Sequence, residues 1–184
     1  MRHGVLTSLL VLGPCGCVCF VPVDELAPDA AGSTRTTYVG SNATWKITGS
    51  TPSAGWNDDA GFDDSSWRPA TSLLPRDPTI SAEADSVWDG PTITSGSRKV
   101  WLRKTFTLSS AVESAVLVAA CNDDMEVWLN GTRVISDTDG VFTSRVVNDV
   151  RSQLVPGQNL LAASCVDVIP PEHAVYVLLS LTRP

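Results

Sequence analysis

Two tryptophans in long polar segments are the side chains of this sequence best suited to binding chemistry. Trp56 and Trp88 lie in such segments, with Asp89 directly after Trp88 and Arg98 a short distance beyond it. Aromatic faces stack on the C–H surfaces of sugar rings, and flanking charged groups bond the sugar hydroxyls. We therefore expect Trp56, Trp88, Asp89 and Arg98 to bind a glycan. The alternative is that both segments fold back and the two indoles fill the end of the core.

Four aspartates near Trp56 suggest a second kind of site. Asp58, Asp59, Asp63 and Asp64 could supply the carboxylate oxygens that Ca²⁺ prefers, although their spacing is not that of an EF-hand loop. Beyond such a structural calcium ion we predict no cofactor, because no Cys/His spacing suggests zinc and no glycine-rich phosphate loop is present. The alternative to the calcium site is a solvated acidic loop.

Catalysis is not predicted. The two histidines are His3, near the start, and His173, which follows Pro170-Pro171 and is expected to be a solvated loop residue. No nucleophile elbow accompanies His173, so a Ser-His-Asp arrangement has little basis. The 20 acidic residues would allow a glycosidase carboxylate pair to be nominated almost anywhere, which makes that signal uninformative. We predict that the chain is not an enzyme, with a small glycoside hydrolase as a distant alternative.

The acidic balance of the chain restricts its partners. The formal net charge is −7 and the sequence pI is near 4.6. Such a surface repels phosphate backbones, so we predict no nucleic acid partner. It would suit a neutral sugar, a cationic ligand or a divalent metal equally well. A glycan or cell-surface polysaccharide is the expected partner, and other protein subunits remain open.

The N-terminal residues are typical of an export signal. A short basic start, Met1-Arg2-His3, precedes Val5 to Leu12, a run that is mostly aliphatic and uncharged. This run has the length of a signal-peptide core and is too short for a transmembrane helix. We predict a leader at 1–20, a flexible tether at 21–38 and a folded domain at 39–184. The chain is expected to be secreted or held at the cell surface, with lipid anchoring left open; a buried N-terminal strand is the alternative.

Cysteine usage fits export. Cleavage after Cys19 would leave only Cys121 and Cys165. Two cysteines in an exported domain can pair, and a bridge across so long a loop would stabilise the fold. Two buried free thiols are the alternative.

Short runs of β-branched and aromatic residues, bounded by turn formers, predict an all-β domain without helices. Lys99 to Leu108 alternates, with Trp101 and Arg103 on one side. Asn130-Gly131 predicts a tight hairpin, because both residues tolerate positive φ. About eight strands fit an antiparallel β-sandwich or jelly roll. The other strands are predicted at Ala43–Thr48, Ser66–Ser72, Ser114–Cys121, Met125–Leu129, Thr132–Ser136, Ser144–Leu154, Asn159–Val168 and Ala174–Thr182.

Four motifs, in order, resemble a known family. Phe62–Trp67 resembles an "fDDSsW" signature, Trp101–Phe106 a "yfRktF" strand, Asn122–Gly131 an "aDD…vyvNG" hairpin, and Asp149–Ala162 a "Dvt..L..GeNvlav" segment. These are signatures of galactose-binding-like jelly rolls, which include the N-terminal sugar-binding-like modules of family 2 glycoside hydrolases and of rhamnosidases. The resemblance implies a galactose-binding-like sandwich, and such enzymes usually keep their active site in a separate domain.

Two functional hypotheses follow from these observations. The first is a secreted or surface carbohydrate-binding module without catalytic activity, which reads glycans with loops at one end of the sandwich. The second is a structural or protein-interaction sandwich, as in an envelope, appendage or coat component, because the jelly roll is common in such assemblies and fold alone does not fix function.

Overall fold

The structure of the chain is a computed structural model that describes residues 35–73, 81–92, 96–167 and 173–183, together with the backbone of residues 11–12 and 18–19. The two short N-terminal strands, β1 (Val11–Leu12) and β2 (Val18–Cys19), pair antiparallel in a unit of their own. The predicted leader otherwise lies outside the described residues. So does the predicted tether, except at residues 35–38.

The second unit, which begins at Arg35, is built almost entirely of strands. In the described residues its one helical segment is a 3₁₀ turn at Arg151–Gln153. The described residues include no helix that is long and apolar enough to cross a membrane. The strands are β3 (Arg35–Gly40), β4 (Lys46–Thr48), β5 (Arg68–Pro69), β6 (Thr71–Ser72), β7 (Val87–Trp88), β8 (Lys99–Leu108), β9 (Ser114–Cys121), β10 (Asp124–Leu129), β11 (Thr132–Asp137), β12 (Arg145–Val147), β13 (Gly157–Val166) and β14 (Val175–Arg183).

These strands form two antiparallel sheets. Sheet I has the order β11-β10-β13-β8-β4-β5, and sheet II has the order β12-β9-β14-β7-β6, with β3 also paired to β14. The longest ladder of sheet I joins β13 to β8 from Gly157↔Leu108 to Val166↔Lys99. The predicted all-β antiparallel sandwich is confirmed.

Alternation along the long strands builds the core between the sheets. In β8, Val100 and Leu102 face inward, whereas Trp101 and Arg103 face outward, as their sequence pattern predicts. Sheet II contributes the inward side chains of β9 and β14 in the same way. Trp45 lies fully buried in this core, and its indole nitrogen donates to the Gly40 carbonyl at 2.8 Å.

Local turn chemistry explains where the strands differ from expectation. The strand predicted from Ala43 begins only at Lys46, because the Asn42 side chain accepts from the Thr44 amide at 2.8 Å and holds a turn there. In contrast, β3 occupies the end of the segment predicted to be a tether. It is ordered by pairing with β14, a partner that lies far away in the sequence.

A disulfide joins the two sheets. Cys121 ends β9 of sheet II, Cys165 lies in β13 of sheet I, and the two are bonded with their Cα atoms 5.8 Å apart. The predicted pairing is therefore present, and the free-thiol alternative is not.

Hydrogen bonds of the Asn130 side-chain amide join the Asn130-Gly131 hairpin, between β10 and β11, to the rest of the sandwich. Both residues have positive φ, at 49° and 80°. The Asn130 side chain donates to the Gln153 carbonyl at 2.7 Å and to the Asn159 side-chain oxygen at 2.8 Å. Its own oxygen accepts from the Leu160 amide at 2.8 Å. The side chain therefore joins the hairpin to the segment that leads into β13.

Replacing Asn130 by Asp should lower the free energy of unfolding by about 2 kcal/mol. Aspartate tolerates positive φ but loses both donated bonds, each of which contributes about 1 kcal/mol. Urea unfolding measures the loss, with the exposed Asn148→Asp as a charge-matched control that should leave stability almost unchanged. Equal stability of the two variants would contradict the account.

Candidate functional site

The structure separates the four predicted ligand-binding residues. Trp56 lies half-buried over the outer face of sheet I, whereas Trp88 and Asp89 lie buried in and after β7 of sheet II. Arg98 is exposed just before β8, and one of its guanidinium nitrogens donates to the Asp167 carbonyl at 3.2 Å. The structure therefore provides no single rim carrying both indoles.

Trp88 has no accessible face for a ligand, because it is 0% exposed. Its indole nitrogen donates to the Ser97 carbonyl at 3.0 Å, and its ring stacks on the His173 imidazole with centroids 5.1 Å apart. The prediction that Trp88 is a sugar platform is therefore wrong for this conformation. The alternative, that its segment folds back into the core, describes the structure.

Asp89 has a structural role in the same region. One carboxylate oxygen accepts from the Ser97 amide at 2.8 Å, and the other lies 3.1 Å from the Arg68 guanidinium. Buried beside Trp88, Asp89 holds the segment around Ser97 against β7 and is not placed to meet a glycan. The prediction that Asp89 contacts a ligand is therefore replaced by a structural role, in which Asp89 anchors the segment around Ser97.

His173 is also buried, although the sequence predicts a solvated loop residue. It stacks on Trp88, and its Nδ1 lies against the carboxylate of Asp167, which is itself buried. Trp88 comes from a segment remote in sequence, so no local pattern around Pro170-Pro171 could have shown this packing.

The acidic loop that carries Trp56 spans residues 49–67 and is called the Trp56 loop. Two of its four carboxylates accept from neighbouring backbone amides: Asp59 from Gly61 at 2.7 Å and Asp63 from Ser65 at 3.0 Å. The hydrogen bonds from Ser65 lower the pKa of Asp63. Asp58 packs on the β10–β11 hairpin, where a Cβ on Gly131 would lie 2.7 Å from the Asp58 Cβ.

The fourth carboxylate of this loop, Asp64, pairs with an arginine instead of a metal. Arg103, 1% exposed on the outer face of β8, donates to Asp64 at 2.9 Å and to the carbonyls of Trp56 at 2.6 Å and Asp59 at 3.2 Å. Its guanidinium also lies 4.9 Å from the Phe62 ring centroid. Among the described residues no group of three acids, histidines or cysteines could hold a metal. The described structure does not group the four aspartates around a common centre, and the calcium site stays a prediction.

Arg103 therefore fixes the Trp56 loop onto sheet I, and this places aromatic rings side by side. Trp56 packs edge-to-face on Trp128 of β10, with centroids 5.2 Å apart, and lies 6.4 Å from the buried Trp67. Both Trp56 and Trp128 remain half-exposed. We call this pair the aromatic shelf.

The strand register extends the shelf into a polar surface. Outward side chains of β10, β13 and β8 fall into three rows across sheet I, in which the middle strand carries a small or apolar residue. The rows are Trp128–Ala162–Arg103, Glu126–Ser164–Trp101 and Asp124–Val166–Lys99.

A groove of about 200 Å³ occupies the second and third rows. Its lining comes from β8, β10, β11 and β13 and contains three carboxylates, two hydroxyls and one amine. The polar lining residues are Lys99, Asp124, Glu126, Asp137, Thr138 and Ser164. The shelf and the outward lining side chains of the groove, Lys99, Asp124, Glu126 and Ser164, share one face of sheet I, which is the candidate site, whereas Asp137 belongs to the inward side of β11.

Asp137, on the inward side of β11, gives the domain a pH-dependent contribution to stability. The Arg145 guanidinium donates to both Asp137 carboxylate oxygens, at 2.6 and 2.8 Å, and this bonding lowers the pKa of Asp137. Because the folded pKa lies below the unfolded value, the stabilisation is complete above about pH 4 and is lost as the pH falls through the folded pKa.

The stability difference between wild type and Asp137→Asn should therefore shrink between pH 6 and pH 3 in urea unfolding. A difference that stays constant over that range would contradict the pairing.

Sequence reasoning missed three residues of the site. Trp128, Glu126 and Ser164 are not among the binding residues that the sequence predicts. The alternation of β10, with Met125, Val127 and Leu129 inward, was the available signal for the two β10 side chains. Ser164 needed the pairing of β13 with both neighbours, which no local pattern provides.

Comparisons with known proteins bear on the fold. No protein-family model and no curated protein matches the sequence significantly. Among solved structures, the Bacteroides uniformis beta-glucuronidase 2 covalently bound to cyclophellitol-6-carboxylate aziridine aligns with a TM-score of 0.53 and 18% identity, covering 81% of this chain and 18% of that one. A glycosyl hydrolase family 2 member from Bacteroides cellulosilyticus aligns with a TM-score of 0.53 and 18% identity, covering 80% of this chain and 21% of that one.

A beta-glucuronidase from glycoside hydrolase family 2 gives a similar result, with a TM-score of 0.50, 16% identity, and coverage of 82% of this chain and 18% of that one. At such identities the likeness concerns the fold alone. The resemblance found in the four sequence motifs is confirmed at that level. The chain has the β-sandwich fold that these family 2 glycoside hydrolase structures contain over about a fifth of their length.

Proposed function

We propose that the chain is a non-catalytic carbohydrate-binding domain that holds a glycan on the outer face of sheet I. The observation that carries the proposal is the aromatic shelf, two half-exposed indoles packed edge-to-face beside a polar groove. Indoles supply large apolar faces for sugar C–H surfaces, and a groove with hydroxyls and carboxylates supplies partners for sugar hydroxyls. The site lies on a sheet face, whereas the sequence placed it on end loops.

The way the shelf is held favours binding. Arg103 bonds the Trp56 carbonyl and the Asp64 carboxylate beneath it, and Trp67 supports Trp56 from the side. A platform fixed before the ligand arrives loses little conformational entropy when the ligand binds. The shelf is therefore preorganised.

The carboxylates of the groove argue against hydrolysis. A glycosidase needs one carboxyl group with a raised pKa as general acid and a second as base or nucleophile. Arg145 lowers the pKa of Asp137 instead, and Glu126 lies 2.5 Å from the Arg133 guanidinium. Asp124 accepts from the Gly140 amide at 2.9 Å. Asp137 is thus held in a way that favours its ionised form, and none of the three is left free of hydrogen bonds as a general acid would be, which supports a binding role.

Affinity electrophoresis in gels containing hydroxyethyl cellulose, xyloglucan or galactomannan tests the proposal. Trp56→Ala and Trp128→Ala should each weaken retention at least about 30-fold, the effect of losing a contact worth about 2 kcal/mol. The exposed Tyr38→Ala, on sheet II, is the aromatic control and should migrate as wild type. Far-ultraviolet spectra confirm that each variant is folded. Retention that is unchanged in both shelf variants would reject this face as the binding site.

A protein-interaction role is the second candidate, favoured by apolar exposure on the other sheet. Val146 and Tyr38 are 54% and 46% exposed on the outer face of sheet II, in register with Val118 and Ser180 respectively. Exposed apolar patches mark many protein contacts. Light scattering on wild type and Val146→Lys tests this candidate. It predicts an oligomer that the lysine dissociates, and monomers in both samples would exclude self-association through this face.

Export to the cell surface or beyond is part of the proposal. The basic start and apolar run at the N-terminus favour it, and a disulfide persists best in an oxidising compartment. Cell fractionation with detection of the free thiols of Cys121 and Cys165 tests this location. Recovery of the protein in the cytosol with both thiols free would contradict it.

A further inference from the structure

An unpartnered hydroxyl lies in the groove beside the aromatic shelf. Ser164 is 4% exposed, occupies the centre of the outer face of β13 and lines the groove. Within the described part of the chain, no hydrogen bond engages its side chain. The residue is more than nine-tenths buried, and its hydroxyl is open only towards the groove, where a ligand could complete its hydrogen bonding.

The neighbours of Ser164 mainly offer acceptors. Glu126 stands beside it on β10, with one carboxylate oxygen bonded to Arg133. Asp124 lies one row further, with one oxygen bonded to the Gly140 amide. The second oxygen of each carboxylate has no hydrogen bond among the described residues, so it can accept a hydrogen from a ligand.

The groove contains one positive charge. Lys99 lines it from β8, with its ammonium group 5.1 Å from the centroid of the Trp101 ring. Arg133 and Arg145 pair with Glu126 and Asp137 and offset the charge of those two carboxylates. The free oxygens of Glu126 and Asp124 can only accept, so hydroxyl donors would find partners there, whereas a uronate carboxylate placed against them would be repelled. The lining therefore suits a sugar that donates hydroxyl hydrogens and carries no negative charge.

The groove lies where a glycan bound to the shelf would extend. Trp128 and Glu126 are two residues apart on one face of β10, a separation of about 7 Å along the strand. When one sugar ring stacks on the shelf, the next sugar residue of the glycan can therefore reach the groove.

We infer that this groove is a polar subsite of the glycan-binding face, and that it selects an uncharged, hydroxyl-bearing sugar residue over a uronate. Ser164 donates to a ring substituent, and the free oxygens of Glu126 and Asp124 accept from its hydroxyls. This inference rests on the proposed carbohydrate-binding function. It adds the substrate class and three contact residues that lie outside the shelf.

The test compares gels of uncharged galactomannan and xyloglucan with gels of polygalacturonate and alginate. Measurements are made at about 0.15 M salt, where the Debye length of about 8 Å screens the overall charge of the protein. Wild type should be retained by at least one uncharged polymer at least about tenfold more strongly than by either uronate polymer. Ser164→Ala should weaken that retention about fivefold to tenfold, the effect of one lost hydrogen bond.

Matched variants separate the groove from general effects. Glu126→Gln should reduce the discrimination against polygalacturonate, whereas Glu113→Gln, an equal change of net charge at an exposed position before β9, should not. Ser180→Ala, on the outer face of sheet II, is the control for Ser164→Ala.

Equal behaviour of each groove variant and its control, with Trp128→Ala still abolishing retention, would overturn the groove inference and leave the proposed function standing. Uronate retention at or above that of the uncharged polymers would overturn the substrate class. Absence of wild-type retention by every polymer would overturn both proposals.

Discussion

Removing the disulfide between Cys121 and Cys165 should lower the free energy of unfolding by about 4 kcal/mol. The bond spans a sequence separation of 44 residues. Closing a loop of that size restricts the unfolded chain by about 4 kcal/mol at room temperature. Because the two cysteines belong to different sheets, their bond also limits sliding of one sheet over the other. For a domain of this size the melting temperature should fall by about 8–16 °C.

The measurement is thermal and urea unfolding of wild type and the double variant Cys121→Ala, Cys165→Ala, each with and without reductant. Reductant should destabilise wild type by nearly the full amount and leave the double variant unchanged, so the variant serves as its own control. Both sulfur atoms are buried, so unfolding or strong reductant is needed to reach them. A wild type that is equally stable in reductant would contradict the pairing.

Replacing Arg103 by Met should cost about 3 kcal/mol of stability and release the Trp56 loop. The guanidinium bonds the Asp64 carboxylate and the carbonyls of Trp56 and Asp59, and hydrogen bonds to charged groups contribute about 1.5–3 kcal/mol each. Methionine keeps part of the volume, and Asp64, which is 26% exposed, regains some hydration, so the net loss stays below the sum.

Arg133→Met is the matched control, because Arg133 forms an exposed pair with Glu126 on the same sheet. Such a pair contributes about 0–1 kcal/mol, so this variant should unfold almost as wild type does. Arg103→Met should also weaken glycan retention by loosening Trp56. If both variants lost the same stability, Arg103 would not be the anchor of the loop.

The fold was predictable because its strands carry their own signals. The alternation of Lys99 to Leu108 fixed the faces of β8, and Asn130-Gly131 fixed the hairpin through its positive φ angles. β3 gave no such signal, because Arg35–Gly40 becomes a strand only by pairing with β14 at the other end of the chain. Local patterns describe a strand, but they do not describe its distant partners.

The site was harder to predict for the same reason. Trp88 stands among polar residues in the sequence, yet the carbonyl of Ser97 and the ring of His173 enclose it. Trp56, in a similar polar segment, stays half-exposed because Arg103 holds its loop on top of sheet I rather than inside the sandwich. The difference between the two tryptophans depends on tertiary contacts that polarity alone does not reveal.

The central claim, that a glycan binds across the outer face of sheet I, is tested most directly by the indole N–H signals of the tryptophans. A ¹⁵N-labelled sample is titrated with soluble fragments of whichever uncharged polysaccharide the gels retain, and signals are assigned with single Trp→Phe variants. We predict that the Trp56 and Trp128 signals shift and saturate together, whereas those of the buried Trp45 and Trp88 stay in place. A shift of Trp88 while Trp56 and Trp128 remain unmoved would contradict the claim.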